Sequence, residues 1–389
     1  MDITVLDAKQ FSKKSPGRVV RVTTTWGGDH AFIPDPLPPN WEFPAALWPL
    51  LSDVKQQIGI LEGLGRNLPN PGILLRPISD REAIRSSRLE GTFASPKELV
   101  LFELQPRESK SEDDPANHQR EVFNYRKALD HGTNSELPIS LRLMRELHQI
   151  LLTGVRGRDR APGEFRRIQV GIGGGRFIPP PAEQVTPCLG LLESYIHTES
   201  TSFDPLVECF LAHYQFETIH PFIDGNGRVG RLLLAIMMQQ NCKLSMPWLY
   251  LSEFFEQHRD EYMSCLFNIS VKGSWTEWIE YCLRGTLWQT QETIRRCENL
   301  RAIREEYLKR ITSGGGSARL VQIVEDIFIS PFIRVVDLPE RLGVSYPTAG
   351  TDLQRLVDAG ILEELPNERP KLYYAPEVFR ISYDTLDGD

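Results

Sequence analysis

The sequence has little cysteine and no long apolar segment. Its six cysteines are dispersed, and none forms a C-x-x-C pair, which argues against a zinc ribbon and against a disulfide scaffold. No segment approaches the roughly 20 apolar residues that cross a bilayer, and the amino terminus lacks the apolar run of a signal peptide. These absences predict a cytoplasmic protein with free thiols.

The sequence also lacks an excess of basic residues. It has 44 Lys and Arg against 52 Asp and Glu, for a formal net charge of −8. Proteins that coat nucleic acid or anionic membranes need basic surfaces, so this charge disfavours both tasks. Hydrophobic residues make up 41 % of the 389 residues, which is enough for a buried core. The length alone predicts two or three domains.

Apolar residues at helical spacing dominate the sequence and predict a mostly α fold. Residues 1–115 are expected to form an amino-terminal arm and a helical region, and the proline-rich stretch 32–44 should wrap the surface outside the core. Residues 116–312 are expected to form a helical domain with a β-hairpin, whose extended pieces are 168–172 and 176–178. Residues 313–317, SGGGS, have linker composition.

Residues 317–389 are predicted to form a separate winged helix-turn-helix domain, from the order of two helices, a turn, a third helix and a strand pair. A DNA-binding regulator would use Tyr346–Ala359 for recognition and a wing at 367–371 for phosphate contacts. The region has seven Lys and Arg against thirteen Asp and Glu, and the recognition helix carries only Arg355 as a base. This charge favours a protein-docking or dimer-organising role over DNA binding, which stays the alternative.

One segment, His220–Arg231 or HPFIDGNGRVGR, joins two predicted helices and concentrates groups suited to a phosphate. Glycine accepts positive φ, so the turn Gly225–Gly227 lets backbone N–H groups converge at the positive end of the next helix. Arg228 and Arg231, three residues apart, are placed to hold further phosphate oxygens. The segment therefore predicts an anion nest.

Two further residues of this segment supply chemistry. Asp224 has the wrong charge for a phosphate contact and the right charge for Mg²⁺, which bridges carboxylate and phosphate oxygens. His220 is able to take a proton near neutral pH. Together with the nest and the arginines, they are typical of phosphoryl or nucleotidyl transfer. A lone histidine before proline is most often structural, so the prediction depends on the complete segment.

The same segment resembles the Fic family signature, HPFx[DE]GNGRxxR, at every defining position. The resemblance implies a Fic-type helical core that transfers AMP from Mg·ATP to a Ser, Thr or Tyr hydroxyl of a target protein or of the enzyme itself. It implies that His220 is the base, that Asp224 holds Mg²⁺ and that Arg231 binds the γ-phosphate. Asn226 with the surrounding backbone would cradle the α- and β-phosphates. The residues assigned to ATP are Gly225, Asn226, Gly227, Arg228, Val229, Gly230 and Arg231.

The hairpin sequence, TGVRGRDRAPGEFRRIQVGIGG followed by FIPPPAEQV, resembles the flap of that family, which pairs with an extended segment of the target protein. Edge pairing of this kind holds a target hydroxyl in line without requiring one target sequence. The predicted edge consists of Val170, Gly171 and Ile172. The arginines of RGRDR either take part in docking or only improve solubility.

The sequence Ser86–Gly91, SSRLEG, resembles the family's inhibitory pattern, [ST]xxxE[GN], and precedes the catalytic segment. Ser86 and Glu90 lie four residues apart on one face of a helix whose predicted cap is Asp80. The resemblance implies that Glu90 pairs with Arg231 and withholds that arginine from the γ-phosphate. A solvated helix face is the alternative for these two residues.

The purine site has a weaker signal. In the family, a helix after the motif often offers two adjacent tyrosines to adenine, and the corresponding place here is Tyr262-Met263. Methionine still packs on a purine face through its thioether, so adenine is favoured. Both residues could instead belong to the core, given their helical spacing. The resemblance also suggests a homodimer.

Three functions are compatible with these features. The first is a protein AMP-transferase, and the second is a Fic-type transferase of another phosphate-linked group. The third is a winged-helix transcription regulator with a degenerate Fic domain. Fic proteins that act as kinases, or that transfer phosphocholine, depart from the consensus or bind their donor differently. The intact motif therefore favours AMP.

Overall fold

The computed structural model of the chain is mostly helical. It describes residues 8–24, 30–66, 72–109, 111, 114–155, 161–173, 175, 177–198, 202–313, 317–366 and 368–383. The α-helices in these ranges are α1 Trp48–Arg66, α2 Gly72–Leu89, α3 Pro96–Leu104, α4 Ala116–Thr133, α5 Leu141–Leu152, α6 Ala182–Ile196, α7 Pro205–Ile219, α8 Asn226–Asn241, α9 Ser252–Gln257, α10 Arg259–Lys272, α11 Trp275–Ser313, α12 Ala318–Ile329, α13 Leu338–Leu342, α14 Tyr346–Asp358 and α15 Pro376–Tyr383. The strands are β1 Gly17–Arg21, β2 His30–Pro34, β3 Phe332–Arg334, β4 Glu363–Glu364 and β5 Leu372–Tyr374.

Helices α7 and α8 form the centre of the fold, and the predicted catalytic segment joins them. Asp204 begins α7, because its carboxylate accepts a hydrogen bond from the Leu206 N–H at 3.0 Å and Pro205 takes the first helical position. The first thirteen residues of α8 are nearly all buried, as in a central helix. Helices α2, α4, α5 and α6 pack around this pair.

Helix α2 begins earlier than the sequence predicts, so Asp80 lies inside the helix and is not its cap. Asp80 is fully buried. Its carboxylate accepts hydrogen bonds from Arg126 Nη1 at 3.1 Å and from the Tyr383 hydroxyl at 2.9 Å. The prediction of a cap was wrong because these distant partners compensate a buried charge that would otherwise favour a helix end.

The amino-terminal arm enters the core, in contrast to the prediction that 32–44 only wraps the surface. Strand β2 pairs antiparallel with β1, and Phe32 is 1 % exposed. The Phe32 N–H also donates to the carbonyl of Ile178, a residue of the predicted flap, at 2.9 Å. Phe32, Ile33 and Pro34 precede most of the prolines of the stretch, so the extended backbone there forms ladder hydrogen bonds and buries its apolar side chains.

The carboxyl-terminal region packs on the helical core. Its elements run α12, β3, α13, α14, β4, β5 and α15, with a sheet in the order β3-β5-β4. This order resembles the one that the sequence predicts for a winged helix-turn-helix, and that class stays a prediction. Arg81 Nη1 of α2 donates to the Ser382 carbonyl at 3.3 Å. Part of the predicted linker, residues 314–316, and Asn367 of the predicted wing lie outside the described residues.

The hydrogen bond between Tyr383 and Asp80 gives a test of this packing. Replacing Tyr383 by phenylalanine is expected to lower the free energy of unfolding by about 1.5 kcal/mol, because a buried hydrogen bond to a carboxylate is lost. Tyr374→Phe is the matched control, since its hydroxyl donates to Glu363 at the same 2.9 Å but at the surface. Its expected loss is below about 0.5 kcal/mol. Urea unfolding measures both, and equal losses would contradict the assigned burial of the Tyr383 contact.

Within the ranges given above, the structure contains no helix that is both long and apolar enough to cross a membrane.

Candidate active site

The segment His220–Arg231 runs from the end of α7 into α8 and begins with an unusual backbone conformation. His220 ends α7 with φ 52° and ψ 62°, in the left-handed region that few residues other than glycine adopt. Its N–H donates to the Phe216 carbonyl at 3.0 Å, and Arg166 Nε donates to the His220 carbonyl at 2.8 Å. Hydrogen bonds to its N–H and to its carbonyl therefore hold the histidine in this conformation.

The imidazole of His220 is held as a neutral base. Nδ1 lies 3.3 Å from the Glu217 carbonyl oxygen, so Nδ1 carries the proton and donates it. Nε2 then carries the lone pair. Burial lowers the pKa of His220 to about 4; the bond to Glu217 opposes this shift, and the charge of Arg166 adds to it. At neutral pH the side chain is ready to accept a proton.

The turn Gly225–Gly227 has the backbone geometry of an anion nest. Gly225 has φ 79°, and α8 begins at the next residue, so the N–H groups of its first turn have no partner within the helix. The Asn226 side chain is bonded to Phe222, with Oδ1 accepting from its N–H at 2.8 Å and Nδ2 donating to its carbonyl at 2.9 Å. Asn226 thus shapes the turn with its side chain, and the capacity for phosphate lies in the backbone.

Asp224 lies directly before the nest with a partly exposed carboxylate. Its Oδ1 accepts from the Gly225 N–H at 2.7 Å and lies 3.9 Å from Arg228 Nη2. In the part of the chain that the structure describes, no group of three or more His, Cys, Asp or Glu side chains is placed to hold a metal ion. Magnesium commonly binds one or two carboxylates and completes its shell with substrate phosphates. The residues therefore fit a metal that arrives with a nucleotide.

Arg228 has a protein partner that the sequence did not predict. Its Nη1 donates to Glu121 Oε2 of α4 at 3.1 Å, and both side chains are buried. The same Glu121 oxygen accepts from the Thr92 hydroxyl at 2.7 Å. Arg228 therefore lies at the edge of the nest, and Glu121 neutralises part of its guanidinium charge.

Arg231 is held by residues at the end of α2. Its Nε donates to Ser86 Oγ at 2.7 Å, and its Nη2 donates to the Ser86 carbonyl at 2.9 Å and to Glu90 Oε1 at 2.8 Å. The guanidinium is buried. Glu90 follows the last residue of α2 and lies in a turn. The predicted pairing of Glu90 with Arg231 is therefore present, and Ser86 contributes both its hydroxyl and its carbonyl.

The Glu90 carboxylate also covers the first turn of α8. A Cβ atom placed on Gly227 would lie 2.3 Å from Glu90 Oε1, so the carboxylate packs directly against the Gly227 backbone. Burial raises the pKa of Glu90, but the charge and hydrogen bond of Arg231 outweigh burial and bring this pKa below its ordinary value. An ionised carboxylate thus lies where the helix end and the arginine together attract an anion.

Among the described residues of the predicted flap, one antiparallel bridge is present. The Ile172 N–H donates to the Phe177 carbonyl at 2.8 Å, and the reverse bond measures 3.2 Å. The prolines at 179–181 cannot donate to a longer ladder, which explains the short pairing. Successive residues of a strand direct their backbone groups to opposite sides, so Gly171 faces the outer edge. The Val170 carbonyl accepts from the Gln169 side chain at 3.2 Å. The RGRDR arginines and Arg176 lie outside the described residues.

Tyr262 and Met263 are neighbours on α10 but have different surroundings. Tyr262 is 3 % exposed and Met263 is 37 % exposed. His213 Nδ1 donates to the Gly230 carbonyl at 3.1 Å, so its Nε2 accepts from the Tyr262 hydroxyl at 2.9 Å. Tyr262 therefore belongs to the core under α8, which was the alternative for it. Met263 is the member of the pair that solvent reaches.

Three buried residues that shape this site were not predicted from the sequence: His148, Arg166 and Glu121. The Arg166 N–H donates to the Pro221 carbonyl at 2.8 Å, and its guanidinium bonds the Pro180 carbonyl at 2.5 Å. Burial lowers the pKa of His148 to about 4, and the bond to the Asp224 carbonyl opposes this shift. The signal for His148 was a polar residue inside the apolar stripe of α5. No local pattern marks the other two.

Family comparisons match two adjoining parts of the chain. Residues 48–134 match the Fic/DOC family N-terminal region, and residues 138–238 match the Fic/DOC family. Over 106 residues, 27 % of the chain, the sequence is 39 % identical to Protein adenylyltransferase Fic of Drosophila grimshawi. Over 105 residues it is 33 % identical to a probable protein adenylyltransferase of Aquifex aeolicus. These alignments span only 21 % and 30 % of the relatives' own lengths.

A solved structure extends the likeness to most of the fold. The crystal structure of a Fic family protein from Desulfovibrio desulfuricans G20 aligns with a TM-score of 0.58 at 20 % identity, covering 87 % of this chain and 98 % of that chain. At this identity the alignment shows the fold alone, and it confirms the predicted mostly α architecture with a Fic-type core. The two sequence matches show that residues 48–134 and 138–238 are similar to the Fic/DOC family.

Proposed function

We propose that this protein transfers AMP from Mg·ATP to a hydroxyl side chain of a protein, and that Glu90 restrains the transfer. The observation that carries the proposal is the neutral imidazole of His220 at the entrance of the turn that opens α8. Relatives that match over the Fic domain and are named protein adenylyltransferases support AMP as the transferred group. The intact HPFIDGNGRVGR segment supports it as well.

In the proposed reaction, the hydroxyl oxygen of a Ser, Thr or Tyr side chain forms a bond to the α-phosphorus of ATP. The bond between that phosphorus and the oxygen that bridges to the β-phosphate breaks, and pyrophosphate leaves with it. The hydroxyl proton passes to Nε2 of His220. The first-turn N–H groups of α8 and the Arg231 guanidinium stabilise charge on the phosphates. Asp224 would hold the Mg²⁺ that accompanies ATP as part of the substrate.

The contacts of Arg231 support the proposed restraint by Glu90. One guanidinium nitrogen, Nη2, already donates to Glu90, so it is not available to the γ-phosphate. The Glu90 carboxylate also packs on Gly227, where it repels a phosphate approaching the same turn. We propose that ATP binds in a non-productive pose until Glu90 is displaced.

For target recognition, we propose that the edge at Val170, Gly171 and Ile172 pairs with an extended segment of the target, and that Gly171 supplies the outward backbone groups.

We propose that residues 317–389 form a winged helix-turn-helix that docks protein partners. We also propose that the protein is a homodimer. Light scattering tests the dimer, since a monomer mass would exclude it. Strong, salt-dependent binding to DNA would favour the regulator instead of the docking role.

Intact-protein mass spectrometry after incubation with Mg·ATP tests the transferred group. We expect the Glu90→Gly variant to gain one or more AMP groups, and the same variant with His220→Ala to gain none. A gain of phosphate in place of AMP would refute AMP transfer and assign a Fic-type transferase of another phosphate-linked group.

The pH dependence of the proposed reaction follows from the low pKa of His220. The base acts unprotonated, so kcat/KM should fall only as the pH drops towards about 4. Glu90 raises the pKa of His220 through its charge, so its removal in Glu90→Gly shifts the acid limb further down. We expect nearly equal kcat/KM at pH 7.5 and 5.5, whereas an ordinary histidine would lose about tenfold at the lower pH. Circular dichroism at each pH controls for unfolding, and an acid limb near pH 6.5 would contradict the assignment.

A further inference from the structure

His148 of α5 is a buried histidine outside the catalytic segment. It lies 76 residues before Asp224 in the sequence and is fully buried. Its ring stacks on Phe222, with centroids 3.8 Å apart and an interplanar angle of 10°. A Cβ atom placed on Gly225 would lie 3.5 Å from His148 Cδ2. The imidazole therefore packs against Phe222 and Gly225, the two ends of the loop 222–225.

The hydrogen bonds of His148 determine its tautomer. Nδ1 accepts from the Gly163 N–H at 2.9 Å, so the ring proton is on Nε2. Nε2 then donates to the Asp224 carbonyl at 3.0 Å. Gly163 in turn is held by Arg145, whose Nε donates to its carbonyl at 2.6 Å. One neutral ring thus connects the segment that leads to the flap with the peptide that joins Asp224 to Gly225.

The peptide between Asp224 and Gly225 affects the direction of both the Asp224 carboxylate and the first N–H groups of α8. The Asp224 side chain leaves the backbone on one side of it, and the left-handed turn at Gly225 begins on the other. A rotation of the peptide would move the carboxylate and tilt the first N–H groups of α8 together. Asn226 braces the same loop through its bonds to Phe222, but these bonds leave the Asp224 carbonyl to other partners.

We propose that His148 is a positioning residue for the metal and phosphate groups of the substrate. By holding the Asp224 carbonyl and stacking on Phe222, it sets the Asp224 carboxylate for Mg²⁺ and aims the nest at the phosphates. This inference rests on the proposed function of the site. Partners that orient a metal ligand commonly affect metal affinity or activity by roughly 10- to 100-fold, although they touch neither metal nor substrate.

Two substitutions separate the hydrogen bond from the packing. His148→Phe keeps an aromatic ring against Phe222 but cannot donate to the Asp224 carbonyl. His148→Gln loses the stacking but carries an amide N–H near the former position of Nε2. His197→Phe is the matched control, because His197 Nε2 also bonds a backbone carbonyl, that of Ile139 at 2.8 Å, away from the site. All three are made in the Glu90→Gly background.

The first measurement is the Mg²⁺ concentration that gives half-maximal AMP transfer at saturating ATP. We expect His148→Phe to raise it by about tenfold, His148→Gln to restore most of the loss, and His197→Phe to leave it unchanged. The second measurement does not need catalysis: Mn²⁺ binding in the presence of ATP, followed by electron paramagnetic resonance of the free ion. The same order of affinities is expected there.

Two outcomes would overturn the inference. One is a His148→Phe variant that is folded and has the metal requirement and Mn²⁺ affinity of its parent. The other is a pair of variants that lose metal affinity equally and in step with their thermal midpoints, which a purely structural role predicts. If the Glu90→Gly parent transfers no AMP, the proposed function fails, and the Mn²⁺ binding series still decides the role of His148.

Discussion

Replacing His220 by alanine in the Glu90→Gly background is expected to reduce AMP transfer by roughly 10²- to 10⁴-fold, the range for loss of a positioned general base. The physical reason is the tautomer: Nδ1 is bonded to the Glu217 carbonyl, so Nε2 is the atom left to take the hydroxyl proton. No phosphate is assigned to His220, so the affinity for Mg·ATP should change little. Initial rates with labelled ATP and calorimetric titration measure the two quantities.

His197→Ala serves as the control for His220→Ala, because it removes an imidazole that bonds only a distant backbone carbonyl among the described residues. It should retain the activity of the parent. A His220→Ala variant that keeps more than a tenth of the parent rate would exclude His220 as the base. A variant that loses ATP binding together with activity would point to a collapsed loop, and the assignment would then fail as well.

Replacing Glu90 by glycine in the otherwise native protein is expected to raise auto-AMPylation by about 10- to 100-fold. Freeing Arg231 allows a charge-assisted hydrogen bond to the γ-phosphate, and such bonds contribute roughly 1.5–3 kcal/mol. Loss of the Glu90 carboxylate from the Gly227 backbone also removes a repulsion at the nest. Because Glu90 lies past the end of α2, glycine there should cost the helix little. Time courses with labelled ATP measure the gain.

Two further variants show whether the gain arises from Arg231. Glu90→Gln keeps the length of the side chain but weakens its pairing with Arg231, so an intermediate gain is expected. Arg231→Ala added to Glu90→Gly should abolish most of the gain, since the released arginine is then missing. Equal activity of the native protein and Glu90→Gly would refute restraint by Glu90, even if both proteins transfer AMP.

Helix ends and the catalytic segment show what local sequence could predict. Asp204-Pro205 begins α7, because a carboxylate cap and a proline act within one helical turn. The positive φ of Gly225 is also a local property, because glycine accepts positive φ. By contrast, Asp80 was predicted to cap a helix and instead lies inside one, since Arg126 and Tyr383 reach it from distant parts of the chain. The buried partners of Asp80 compensate its charge, and this outweighs its local preference for a helix end.

The partners of Arg228 and Arg231 show what the local sequence could not predict. The sequence pointed to Arg228 and Arg231 as phosphate ligands, and it reached the Glu90–Arg231 pair only through resemblance to a family. Nothing in the sequence near Arg228 indicated Glu121, which lies 107 residues away. Likewise, Tyr262 at helical spacing fitted both a purine contact and a core residue. The buried hydrogen bond between Tyr262 and His213 shows that Tyr262 is a core residue.

By itself, the sequence determined the helical class, the turn that opens α8 and the identity of the predicted base, because these depend on residues within a few positions of one another. Only the tertiary structure decided what Arg228 and Arg231 bond and that His148 holds the Asp224 carbonyl. These contacts form when α2, α4 and α5 pack against α8, and burial then makes each polar pairing obligatory. The segment His220–Arg231 marks the proposed site, and the helices around it supply the buried polar partners of its arginines.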